Sequence, residues 1–226
     1  MQRTNILFDL DGTLTDPKPG ITRCIQYALA ELGHEPPEND SLQWCIGPPL
    51  VDSFKRLLNS TDRQLLERAV QLYRQRFSLV GLFENRVYPG IPEKLASLQA
   101  QGYSLFLATS KPFIFAEQIL AHFNLSQFFK MIYGSELNGN LTHKPLLVRH
   151  ILASEDLAPE QTMIIGDRKY DIIGGKCNGL TTGAVTYGYG TMEELTAENP
   201  DMIFNTPEQI LCRPSGGTSA DTAANR

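Results

Sequence analysis

Along much of the chain, short apolar runs that stop at polar residues alternate with longer stretches whose apolar positions recur every three or four residues. Ile6-Leu7-Phe8 is the first such run and stops at Asp9, which predicts a buried strand ending at a polar edge. From Ile21 the spacing turns helical: Ile21, Cys24, Ile25, Ala28, Leu29 and Leu32 share a face, and Gly33 supplies the stop. A turn-rich stretch from His34 to Asp40 leads to Ile46-Gly47-Pro48-Pro49-Leu50, which reads as a kink between short helices. Residues 62–79 resume helical spacing through Leu65, Ala69, Leu72, Tyr73 and Phe77. Nothing between about residues 17 and 84 reads as a strand, so this block is expected to be a helical insert.

After Tyr88-Pro89-Gly90 the pattern changes. Helices are expected over 92–101, 113–123, 145–154 and 170–178, with strands at 103–110, 131–133, 163–165 and 183–187. Strands alternating with helices of this length imply an α/β fold with a parallel sheet covered on both faces. The expected division is a core of residues 1–16 and 85–212, a helical segment of residues 17–84, and a disordered tail of residues 213–226 rich in Ser, Gly, Thr and Ala. Ligands of an open parallel sheet bind at the carboxyl ends of its strands. The polar residues just past each apolar run are therefore the candidates: Asp9 and Asp11, Thr109-Ser110-Lys111, and Gly166-Asp167, with Lys144 opening a helix.

The net charge of −5 argues against a nucleic-acid polymer as partner, which a basic excess would normally meet. A small anionic substrate remains compatible, because a few lysines and a metal reverse the sign locally. Cys24, Cys45, Cys177 and Cys212 have no metal-ligand spacing and read as reduced, partly buried thiols. The opening MQRTNILFDLDG offers no apolar stretch long enough for a signal peptide, and no run approaches the length of a membrane span. A cytoplasmic protein with no membrane partner is expected, either monomer or homodimer.

Asp9-Leu10-Asp11-Gly12-Thr13 carries the sharpest chemistry. An aspartate is ionised at neutral pH and is nucleophilic without a separate base. Its attack on a phosphate is opposed by charge repulsion of about 4 kcal/mol per unit pair at about 4 Å and an effective dielectric of about 20. A hard divalent cation shared by nucleophile and phosphoryl oxygens removes that barrier. Asp11, two residues on, can protonate the leaving oxygen and later deprotonate water. Gly12 lets the backbone turn closely around phosphate, and Thr13 can cap the turn after it. Asp167, with Asp171 four residues later, forms a second acidic cluster at a strand end. Magnesium takes one or two carboxylates plus water and substrate oxygens. The assigned ligands are the Asp9 and Asp167 side chains and the Asp11 carbonyl, with Asp171 behind them. Thr109 and the amides beside it, Ser110 included, suit a phosphoryl oxygen at a helix N-terminus. Lys144 suits the charge that builds on the phosphoryl group.

Together these residues resemble the haloacid dehalogenase superfamily of phosphohydrolases. FDLDGTLTD (8–16) is similar to its first motif, LATS (107–110) to its second, Lys144-Pro145 to its third and IIGDRKYD (164–171) to its fourth. The resemblance covers about residues 4–212. It implies a Rossmann-like core with a helical cap inserted after the first motif, and magnesium as cofactor. It also implies Asp9 as nucleophile, Asp11 as acid/base, Thr109 and Lys144 as phosphoryl binders and Asp167 as metal ligand. ITRCIQYAL, IGPPL, FENRVYPGI, ATSKP and GDRKYDI look most like the branch of phosphoglycolate phosphatases and 5′-nucleotidases. Asp11 argues against carbon–halogen and phosphonate cleavage, and Gly12-Thr13 argues moderately against a sugar-phosphate phosphomutase. A non-catalytic binding protein would not need every one of these positions.

The expected activity is hydrolysis of a small phosphomonoester, phosphoglycolate or a nucleoside 5′-monophosphate, through an aspartyl-phosphate. The Ile46–Leu50 kink, bare at Gly47, is the expected cap contact to the leaving group. Arg74, Arg76 and Arg86 are the cations within reach for a carboxylate, and Trp44, Tyr73 and Phe77 the rings available to a nucleoside.

Overall fold

The computed structural model describes residues 4–211. Six parallel strands form the main sheet: β1 (Asn5–Phe8), β4 (Ser104–Pro112), β5 (Met131–Ser135), β6 (Thr162–Gly166), β7 (Thr181–Val185) and β8 (Met202–Phe204). Their spatial order is β5-β4-β1-β6-β7-β8. Side chains along the central strands alternate between two cores. Ile6, Phe8, Leu105, Leu107, Met163 and Ile165 enter one core, with α4 (Ile91–Ala100) and α5 (Phe113–His122) packed on it. Leu7, Phe106, Ala108 and Ile164 enter the other, covered by α6 (Lys144–Ser154). This two-sided burial explains why these strands read as unbroken apolar runs.

Between Pro17 and Asn85 the chain is helical: α1 (Lys18–Glu31), a 3₁₀ segment (Asn39–Cys45), α2 (Leu50–Leu57), α3 (Arg63–Arg76) and a π turn (Phe77–Gly81). A two-stranded antiparallel ribbon, β2 (Thr15–Asp16) with β3 (Arg86–Val87), joins its two ends. Neither strand is visible as a periodic run, since each is two residues long. Leu29, Leu66, Val70, Tyr73 and Phe77 of this segment belong to the same apolar cluster as Phe8 and Leu107 of the sheet.

Several expectations change. The strand expected at 183–187 begins two residues earlier, at the β-branched Thr181-Thr182, which frees Thr186–Gly190 as a loop. The short α8 (Met192–Ala197) and β8 fall below the length at which periodicity is legible. Cys24 and Cys45 are free and buried, but Cys177 is exposed because it caps the solvent end of α7 (Lys169–Lys176). Cys212 and the tail 213–226 lie outside the described residues. Among the described residues, no helix is long and apolar enough to cross a membrane.

Candidate active site

Phe8 pairs in register with Leu107 on one side and Ile165 on the other, so the three strands reach the same edge of the sheet side by side, where β1 and β6 stop and β4 runs on. Asp9 and Asp167 follow the ends of β1 and β6, and Thr109 stands level with them within β4, where the sheet order reverses direction about β1. Lys144, the first residue of α6, reaches back between them. Its ammonium lies 2.9 Å from Asp9 Oδ1 and 2.6 Å from Asp171 Oδ1, and donates to the Ala108 carbonyl. It is only 4% exposed. The flanking carboxylates pull the Lys144 pKa up against burial, which alone would lower it. A separate lysine serves Asp11: Lys111 Nζ stands 2.8 Å from Asp11 Oδ2 and 4.8 Å from the centre of the Phe77 ring. Burial raises the Asp11 pKa, and Lys111 works against that rise.

Oxygen atoms of Asp9, Asp167 and Asp171 lie within 4.8 Å of one another. Asp167 is fully buried; its Oδ2 accepts the Tyr189 N–H at 2.7 Å, while its Oδ1 has no hydrogen-bond partner among the described residues. Burial, followed by repulsion from Asp9 and Asp171, pushes its pKa well above the usual carboxylate value. Three crowded carboxylates with an unsatisfied oxygen suit a hard divalent cation, and magnesium fits this all-oxygen donor set. Asp171 engages Lys144 and accepts the Arg168 N–H at 3.3 Å, which leaves it less free than Asp167 to bind an ion. Gly12 sits at φ +85°, and a Cβ there would lie 2.1 Å from Asp167 Oδ2, so the close approach of the two acidic loops requires glycine.

Thr109 and Ser110 face the same cavity as Asp9 and Asp11. They do not stand at a helix N-terminus as expected. The residue before a proline is held extended, so β4 runs on to Pro112 and α5 starts at Phe113. Thr109 Oγ1 instead accepts the Lys111 N–H at 3.2 Å. Thr13 is buried and is not part of the cavity wall. Gly47 does reach the cavity, at φ +102°, but a Cβ on it would lie 2.9 Å from Arg168 Cγ, so its bare backbone also makes room for that arginine. Arg168 Nη1 donates to the Ile46 carbonyl, while Nε and Nη2 hold Glu194 at 2.9 and 3.2 Å. Sequence reasoning assigned no role to Lys111 or Arg168. Their signal was position alone: each cation directly follows a candidate polar residue, Lys111 after Ser110 and Arg168 after Asp167.

The cavity, of about 790 Å³, lies between the strand ends and the helical segment. Of the three arginines considered for it, only Arg74 lines it. Arg76 is committed to Glu84 at 2.7 Å and to Cys24 Sγ at 3.2 Å, and Arg86 is exposed on β3. Tyr73 and Phe77 form a stacked pair on its wall, 5.3 Å between ring centres and 16° between planes. Trp44 is absent from the wall and lies under the Arg56 guanidinium at 4.2 Å.

The pattern of the haloacid dehalogenase-like hydrolases matches residues 6–185, a span that holds all four motifs. The chain belongs to that family. Within it, a 5′-nucleotidase of Pseudomonas aeruginosa is 50% identical over 196 residues, covering 87% of this chain and 88% of that protein. The tyrosine-protein kinase PtkA of Mycobacterium tuberculosis is 35% identical over 82% of this chain, but the match spans 62% of that protein. Among solved structures, a predicted phosphatase from Clostridium acetobutylicum superposes with a TM-score of 0.88 at 40% identity, covering 92% of this chain and 96% of that one. For a haloacid dehalogenase-like hydrolase, the parallel sheet and the placement of the acidic residues at its strand ends are thus accounted for together.

Proposed function

We propose that this phosphatase of the haloacid dehalogenase-like family is magnesium-dependent and hydrolyses a nucleoside 5′-monophosphate through an aspartyl-phosphate on Asp9. The observation that carries the reading is the pair Asp9 and Asp11 at the end of the central strand, each held by a different buried lysine. The 5′-nucleotidase relative favours the nucleotide over phosphoglycolate, and the stacked Tyr73–Phe77 wall suits a base.

Asp9 Oδ attacks phosphorus in line with the ester oxygen; the new Oδ–P bond forms as the P–O ester bond breaks. Asp11 gives its proton to the departing oxygen. It then takes a proton from water, whose oxygen attacks phosphorus and releases inorganic phosphate and free Asp9. Burial of Asp11 favours the protonated form needed first, and Lys111 favours the ionised form needed second. Lys144 holds Asp9 in place and offers charge to the phosphoryl oxygens, with Thr109 and Ser110 beside it. Asp9, Asp167 and the Asp11 carbonyl would hold the magnesium ion, with Asp171 braced against Lys144 behind them. When bound, that ion supplies the positive charge that lets one anion approach another. The helical segment would act as a cap that excludes water during the transfer.

The test pairs chemistry with metal dependence. Asp9→Asn is expected to keep its fold and lose turnover, labelled phosphate is expected to be trapped on Asp9 in Asp11→Asn, and chelation is expected to silence the wild type. Turnover by Asp9→Asn, or full activity after exhaustive chelation, overturns the mechanism.

A further inference from the structure

Six cations line the cavity, and five are already paired. Lys55 meets Asp52 at 2.9 Å, Arg63 meets Glu67 at 2.7 Å, Lys111 meets Asp11 at 2.8 Å, Lys144 meets Asp9 at 2.9 Å, and Arg168 meets Glu194 at 2.9 Å. Arg74 is the sixth, and among the described residues it has no acidic partner and no hydrogen-bond acceptor. It is half-buried, and loss of water lowers its pKa. A guanidinium stripped of part of its hydration and left without acceptors is costly, and a ligand that brings acceptors removes the cost.

A row of contacts leads from the reacting end to Tyr73, and Arg74 follows it on the same helix and lines the same cavity. Asp11 pairs with Lys111, Lys111 lies 4.8 Å over Phe77, and Phe77 stacks at 5.3 Å on Tyr73, the residue before Arg74. A nucleoside brings a flat ring that suits the aromatic part of that row, which a two-carbon acid lacks.

We propose that Arg74 is the specificity-determining residue for the leaving group and selects a base whose remote edge offers oxygen and nitrogen acceptors, as a 6-oxopurine does, over one that offers an amino group there. The proposal rests on the nucleotide reading above. A guanidinium carries five donors and no acceptor, so it meets the O6/N7 edge of a 6-oxopurine bidentately. A 6-aminopurine keeps the N7 acceptor but turns an N6 donor toward the second guanidinium N–H, which is left unpaired.

The experiment compares kcat/KM for inosine 5′-monophosphate, adenosine 5′-monophosphate, phosphoglycolate and p-nitrophenyl phosphate in the wild type, Arg74→Ala and Arg74→Lys. The wild type is expected to favour the inosine nucleotide by about tenfold. Arg74→Ala is expected to erase that preference by slowing the inosine nucleotide, with p-nitrophenyl phosphate within about twofold. Arg74→Lys, lacking the planar fork, is expected to restore little of it. Equal turnover of the two nucleotides by the wild type, or an unchanged ratio in Arg74→Ala, overturns the role of Arg74 and leaves the nucleotidase reading standing. Loss of p-nitrophenyl phosphate turnover to the same extent also overturns it, since the defect would not concern the base. Poor turnover of both nucleotides beside good turnover of phosphoglycolate overturns the nucleotidase reading itself, and this inference with it.

Discussion

At Asp167 and Asp171 the fold holds two carboxylates out of water next to a third, which raises the pKa of both. Burial raises Asp171 to about 6, with Lys144 opposing the rise and Asp9 adding to it. Burial also raises Asp167 well above the usual range. A carboxyl whose pKa is higher folded than unfolded stabilises the fold at low pH, and that contribution is lost as pH rises through the folded value. The metal-free protein is therefore expected to melt at a higher temperature near pH 5 than near pH 7.5, over a window that includes about pH 6 for Asp171. Asp167→Asn should flatten this slope in chelator, and added magnesium should raise the melting temperature of the wild type at neutral pH far more than that of the variant. Melting curves across pH, with and without magnesium, check both statements; a wild-type slope of the opposite sign refutes them.

Among the connections between elements, Arg168 joins the loop after β6 to the start of the Gly47-Pro48-Pro49 turn. Its guanidinium is spread between Glu194 of α8 and the Ile46 carbonyl, with Gly47 against its stem. Glu194 is itself fixed by the Lys169 N–H at 3.0 Å and lies outside the cavity wall. Weakening this anchor should loosen the turn without touching the reacting atoms. Glu194→Gln is expected to raise KM for nucleotides by about tenfold, since charge-assisted hydrogen bonds are worth about 1.5–3 kcal/mol. Turnover of p-nitrophenyl phosphate at saturation should hold within about twofold. Faster hydrogen exchange at residues 46–50 should accompany the KM change, and unaltered exchange there would argue against the link.

For the molecule as a whole, the two ends of the helical segment meet in the β2–β3 ribbon, and the Thr186–Gly190 loop fastens that ribbon to the core. Tyr189 OH donates to Asp16, Tyr187 OH donates to the Thr13 carbonyl at 3.0 Å, and the Tyr88 and Tyr187 rings lie 5.0 Å apart. Tyr189 N–H also holds Asp167, so one loop touches both the connection and a carboxylate proposed to hold the metal. If the helical segment opens and closes as a cap, its motion must pass through residues 15–17 and 86–90. Binding of beryllofluoride with magnesium is expected to slow hydrogen exchange at both connections and along the Ile46–Leu50 turn. No change at either connection would mean that the segment does not move as a body. Its apolar side chains already merge with the sheet core, so any opening must expose part of that shared surface.

Local periodicity was enough to place the helical segment and β1, β4, β5 and β6, because a strand buried on both faces and a helix buried on one write their burial into neighbouring residues. The acidic motifs were legible for a related reason: Asp9 follows one apolar run and Asp167 stands just past another, with Asp11 and Asp171 close behind, and a parallel sheet brings such ends together. The partners of those carboxylates were less legible. That Lys144 belongs beside the nucleophile was legible, but its contact with Asp171, the pairing of Lys111 with Asp11 and of Arg168 with Ile46 and Glu194, and the lack of an acidic partner for Arg74 among the described residues had no local signature. Arg74, Arg76 and Arg86 look alike on paper, and only the folded chain consumes one with Glu84, leaves another on the surface and turns the third into the cavity. Charge pairing depends on distances of a few ångströms between residues far apart in the chain, and those distances exist only once the sheet order and the packing of the helical segment bring the elements together.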